Sequence, residues 1–254
     1  MRFSVFFFCV VLVGCGSNHS VPINVVTNPS GNWTGMLNSV SAQNSRTIDL
    51  FITQSGNSLS AQRVKLGITK ALHLCDFNGT MSGTATSGQV TMSLLIPPNP
   101  PIPSENMALT GTLQGSTISG SYTETSGCIN GDSGTFQLSP VTSVASSQWS
   151  GTWSDSFGAS GPASANLVED SSGSVTGTLT IVGTGGCSGL VSGAQNVTGT
   201  QTGLAVDLTT IVTVGLQLTV GGLVDASGKQ ITIGNPCGTV IQNGNYTITL
   251  TRPQ

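Results

Sequence analysis

Glu169-Asp170-Ser171-Ser172-Gly173-Ser174-Val175-Thr176-Gly177-Thr178-Leu179-Thr180-Ile181 is the stretch that decides how this chain folds. Val175, Gly177, Leu179 and Ile181 fall on one face of an extended backbone, and the threonines between them fall on the other. Successive side chains of a strand point to opposite faces, so this period of two marks a half-buried antiparallel strand. Ser171-Ser172-Gly173, just ahead of it, supplies turn chemistry. The same alternation returns in Ile48/Leu50/Ile52, Leu204/Val206/Leu208, Leu216/Leu218/Val220 and Tyr246/Ile248/Leu250. Turns such as Gln54-Ser55-Gly56-Asn57, Gln114-Gly115-Ser116, Ala226-Ser227-Gly228 and Asn243-Gly244-Asn245 separate the runs.

The chain is also a duplication. Trp33-Thr34-Gly35 recurs as Trp149-Ser150-Gly151, 116 residues on. Each copy then carries alternating runs, a first Cys (Cys75, Cys187), a second Cys followed closely by Gly (Cys128, Cys237) and a closing aromatic strand. Two domains follow, 31–139 and 148–254, joined by a linker over 140–147. With about eight strands per copy and tight hairpins between them, each closes best as an up-and-down barrel, which removes exposed edges. The fold class is therefore all-β, two tandem antiparallel barrels; a pair of β-sandwiches is the alternative.

Gly31-Asn32-Trp33 and Gly151-Thr152-Trp153 resemble the Gly-x-Trp that opens lipocalin-like barrels, and Gly115 to Tyr122 resembles a segment of avidin-like barrels. The resemblance implies barrel topology, with an Arg near the end of the last strand packed on that Trp. Arg252 fits this role in the second copy, and the first copy has no such Arg. Trp33, Trp149 and Trp153 are expected to plug the closed ends of the barrels.

Only 7% of the 254 residues are charged, against about 25% in an ordinary globular chain. Thr and Ser face water without charge. Seven basic and ten acidic residues give a net charge of −3 with no block of either sign, which excludes nucleic acid as a partner.

Met1-Arg2-Phe3-Ser4 precedes an apolar run from Val5 to Val13. This run is far shorter than the roughly twenty residues a membrane-spanning helix needs, so residues 1–14 read as an export signal. Leu12-Val13-Gly14-Cys15 resembles the lipobox of bacterial lipoproteins. The resemblance implies that Cys15 becomes the lipidated first residue, and the polar, Pro-containing stretch that completes 15–30 reads as a flexible tether. The resemblance also implies, with Gly at position 16, a lipid-anchored outer-membrane protein of the cell envelope.

Cys75, Cys128, Cys187 and Cys237 are then most simply two disulfides in an exported chain. Spacings of 53 and 50 residues and the repeat suggest Cys75–Cys128 and Cys187–Cys237. No Cys-x-x-Cys occurs and only two His exist, so neither a metal nor another cofactor is expected.

Catalysis finds little support. His73 is the usual base available for a triad, two residues before Cys75. Acid–base work on a sugar would need two inward carboxylates at one mouth. Yet Asp49, Asp76, Glu105, Glu124, Asp132, Asp155, Glu169, Asp170, Asp207 and Asp225 are scattered, and the chain reads as non-enzymatic. Arg63, Lys65 and Lys70 form the one basic cluster, a candidate contact for an acidic ligand. The function expected is a membrane-anchored binding module for a small apolar molecule or an envelope partner. The alternative is a structural or adhesive envelope protein with filled barrels.

Overall fold

The computed structural model describes residues 28–40, 45–68, 77–98, 100, 103–127, 131–145, 148–183, 192–213, 216–239 and 242–252. All regular structure in them is β. The first eight strands are β1 (Gly31–Ser39), β2 (Ser45–Ser55), β3 (Ser58–Ile68), β4 (Phe77–Thr86), β5 (Gln89–Ile96), β6 (Glu105–Gln114), β7 (Thr117–Ser126) and β8 (Ser133–Val141). The second eight are β9 (Gln148–Asp155), β10 (Ser160–Glu169), β11 (Ser174–Ile181), β12 (Gly193–Thr202), β13 (Ala205–Thr213), β14 (Leu216–Val224), β15 (Gln230–Thr239) and β16 (Gln242–Thr251).

Each set is a closed antiparallel barrel in which every strand pairs with its sequence neighbours. Closure comes from β1 on β8, with Leu37 opposite Phe136, and from β9 on β16, with Trp153 opposite Ile248. The tandem-barrel expectation holds and the sandwich alternative does not. An eight-stranded barrel has an interior just wide enough for side chains to fill it or for one small ligand. Leu50, Val64, Met92, Leu109, Ile118 and Leu138 are among those that point into the first barrel, each at most 3% exposed. Leu167, Val206, Leu208, Ile231, Ile248 and Leu250 do the same in the second.

Each barrel has two unlike ends. Short hairpins close one of them, at Ser55–Ser58, Thr86–Gln89 and Gln114–Thr117 in the first barrel, and at 169–174, 202–205 and 224–230 in the second. Trp33 plugs this end of barrel one, its Nε1 donating to the Pro29 carbonyl (2.6 Å). Trp149 plugs that of barrel two, donating to the Val144 carbonyl (3.3 Å). Trp153 departs from the expectation. Four residues along the same strand, it lies toward the other end, where its Nε1 donates to the Val182 carbonyl (2.9 Å).

Strand register explains Arg252. Thr251 lies opposite Ser150, so the next residue arrives at Trp149. The Arg252 guanidinium stands 4.7 Å from that ring's centroid and donates to the Ser143 carbonyl. The counterpart of Trp33 is thus Trp149 rather than Trp153, and Pro140 faces Trp33 where an Arg would stand. The stretch between the barrels is also packed. Val144 is fully buried, and Gln201 holds its backbone by accepting from the Val144 amide (2.8 Å).

Candidate functional site

Two residues of the basic cluster, Arg63 and Lys65, lie at a seam between the barrels. β3 carries one extra residue between Ala61 and Val64 relative to both neighbours, a bulge that turns Gln62 and Arg63 outward together. Arg63 donates to the Ser172 carbonyl (2.6 Å) and to the Thr202 hydroxyl (3.3 Å) of the second barrel. Lys65 Nζ lies 2.5 Å from Asp207 Oδ2. Phe51, on the outer face of β2, is only 7% exposed, with the Arg63 guanidinium 5.7 Å from its ring centroid. Lys70 lies outside the described residues. So do Cys15, Cys75, Cys128 and Cys187, and the side chain of Cys237.

Backbone and side chains lock the same seam together. Asn32 donates to Glu169 Oε1 (2.7 Å) and accepts from the Gly203 amide (3.1 Å), while Asp49 accepts from the Leu204 amide (3.0 Å). Burial pushes the Asp49 carboxyl above its ordinary range, against the opposing pulls of the Leu204 amide, the Thr34 hydroxyl and Lys65. Gly203 sits at φ +57°, where an added Cβ would fall 2.2 Å from Asp49 Oδ1 and 2.6 Å from the Trp33 carbonyl. A cleft of about 370 Å³ opens beside these contacts, lined in part by Ser30, Phe51, Val141, Glu169 and Asp170.

A second site joins residues that lie far apart in the sequence. At the end of the first barrel away from Trp33, Arg46 is 1% exposed and points inward. Its Nη1 donates to Glu105 Oε1 (2.7 Å), its Nη2 to Glu124 Oε2 (2.5 Å), and Asp132 Oδ2 lies 3.9 Å away. Tyr122 Oη and Ser39 Oγ both donate to Asp132, at 2.7 and 2.6 Å. Burial alone would lower the Arg46 pKa. The charges of Glu105 and Glu124 and their hydrogen bonds outweigh it and hold the guanidinium above its usual value. Burial, the hydrogen bond to Asp132 and its charge push the Tyr122 phenol up to about 12.

A period-two signal for this cluster was present in the sequence. Arg46 shares the inward phase of Ile48/Leu50/Ile52, Glu105 that of Met107/Leu109, and Glu124 that of Tyr122. Three carboxylates therefore do meet at one mouth, each 2% exposed or less and engaged with Arg46 or its neighbours. Among the described residues no group of His, Cys, Asp and Glu is placed to hold a metal ion.

The fold and these two features define the class, a tandem pair of closed eight-stranded antiparallel barrels joined by a polar seam. No protein-family model matches the chain, and no curated protein does. Among solved structures, it is similar to a protein of unknown function from the DUF3598 family of Nostoc punctiforme. That match has 8% identity and a TM-score of 0.29, over 88% of this chain and 96% of that one. It is also similar to the isotype 1 transferrin-binding protein B from serogroup B Neisseria meningitidis, at 9% identity and a TM-score of 0.30, over 89% and 77%. Likeness this faint carries no conclusion about what this chain does.

Proposed function

We propose that this is a lipid-anchored protein of the bacterial cell envelope, without enzymatic activity, that binds an envelope partner on its outer surface. The observation that carries the reading is the buried inward face. Among the described residues every strand of the first barrel contributes buried inward side chains, from Trp33 at one end to the Arg46 cluster at the other. A ligand carrier instead keeps an apolar pocket open for its cargo. The resulting scaffold is rigid, and its binding groups are the ones it displays outside. The lipobox-like Leu12-Val13-Gly14-Cys15 supports the anchor; several acyl chains hold a protein stably at a membrane.

The test is metabolic labelling with a palmitate analogue, followed by fractionation and cross-linking of intact envelopes. Label should track the membrane fraction and disappear in Cys15→Ser, and one envelope component should cross-link reproducibly. An unlabelled protein in the soluble fraction would overturn the anchor. A cross-linking pattern no different from that of an unrelated exported barrel would favour a purely structural role.

A further inference from the structure

We propose that the Arg46 cluster is an acid-released clasp that fixes the mouth of the first barrel. Its members come from separate elements: Ser39 from β1, Arg46 from β2, Glu105 from β6, Tyr122 and Glu124 from β7, and Asp132 from the turn into β8. The described inward residues of β3, β4 and β5 in this half are Leu66, Met81, Leu94 and Ile96, none of which titrates. Backbone contacts run through the same point. The Glu124 amide donates to the Asp132 carbonyl (2.7 Å), and the Gly131 amide to the Glu124 carbonyl (3.1 Å). Gly127 lies so close that an added Cβ would fall 2.6 Å from Glu105 Cγ.

The charge count sets the sign. A guanidinium keeps its proton at every accessible pH, whereas carboxylates are discharged by acid. Once Glu105, Glu124 and Asp132 are all protonated, Arg46 is a buried cation with no counter-charge, a state that strongly destabilises its surroundings. Among the described residues the second barrel has no buried charged side chain. It should keep its packing under the same conditions. This mechanism is independent of any partner or membrane anchor.

Hydrogen exchange of the full exported protein, corrected for intrinsic rates, tests this at about pH 7 and about pH 3. In the wild type, peptides covering Tyr122–Ser126 and Gly131–Thr135 should lose protection by about ten-fold or more in acid, while β10–β13 keep theirs. Arg46→Met should show the reverse, unprotected at neutral pH where the buried carboxylates have lost their counter-charge, and protected in acid. The Arg46→Met/Glu105→Gln/Glu124→Gln/Asp132→Asn variant should be equally protected at both. Wild-type protection unchanged in acid, or lost in step with the second barrel, would overturn the clasp. If Arg46→Met fails to fold at either pH, the quadruple variant decides, and acid lability in it would also overturn the proposal.

Discussion

Trp153 stands in the second barrel where Leu37 stands in the first. Each occupies the same register step along the first strand of its barrel. Leu37 lies opposite Arg46 and Phe136, and Trp153 opposite Gly161 and Ile248. The duplicated mouths have thus been filled in two ways. One holds a small apolar residue beside a long cation and its carboxylates, the other a large indole beside a glycine. A buried ion cluster is seldom more stable than apolar packing of similar volume, so the first mouth has kept a costlier solution.

Gly161→Ala should therefore harm the second barrel selectively. An added Cβ would fall 2.2 Å from the Val182 carbonyl and 2.8 Å from Trp153 Nε1, the two ends of one hydrogen bond. Overpacking of this kind costs about 1–3 kcal/mol. Urea unfolding followed by hydrogen exchange should show the loss in β9–β16 and none in β1–β8.

Gly203→Ala should loosen the seam. The residue must keep a left-handed backbone, and its Cβ would collide with Asp49 and the Trp33 carbonyl. Such strain costs about 1–3 kcal/mol. Limited proteolysis between the barrels should accelerate. Lys65→Ala, by contrast, removes a partly exposed ion pair, worth less than about 1 kcal/mol and screened by salt.

Asp49 gives the seam a pH dependence of its own. Its folded pKa is raised by burial. The stability it contributes is then fully present below the unfolded value and lost as pH rises through the folded one. Asp49→Asn keeps an acceptor for the Leu204 amide without the buried charge. At neutral pH that variant should resist urea at least as well as the wild type, and the difference should vanish in acid.

Tyr122 should titrate late. Its phenol is raised to about 12, so the stability from its hydrogen bond to Asp132 is intact below the unfolded value near 10 and lost as pH rises through about 12. Absorbance titration at the tyrosinate band, with Tyr122→Phe as the difference spectrum, checks this. A Tyr122 component appearing near pH 10 with the fold intact would contradict it.

If the four cysteines beyond Cys15 pair as Cys75–Cys128 and Cys187–Cys237, non-reducing peptide maps should show only these two links. Each would contribute roughly 4 kcal/mol on a chain-entropy treatment. A link between the two halves of the chain would refute the pairing.

The fold was legible because alternation and turn chemistry are local. Ile48/Leu50/Ile52 and Ser171-Ser172-Gly173 announce strand and hairpin without reference to anything distant. The seam was not legible. Asn32, Asp49 and Arg63 sit in the outward phase, where a residue facing water and one facing another domain look alike in sequence. The mouth cluster lies between these cases. Arg46 meets Glu105 and Glu124 across 59 and 78 residues of chain. Each nonetheless falls on the inward beat of its strand, where a charge has to find a partner.

On the proposed reading both barrels are filled by their own side chains and bind on their outer surface. A native mass spectrum of residues 16–254, exported and oxidised, should then give the bare chain mass, with no small molecule retained. A reproducible added mass that departs on denaturation would contradict it and make the protein a carrier.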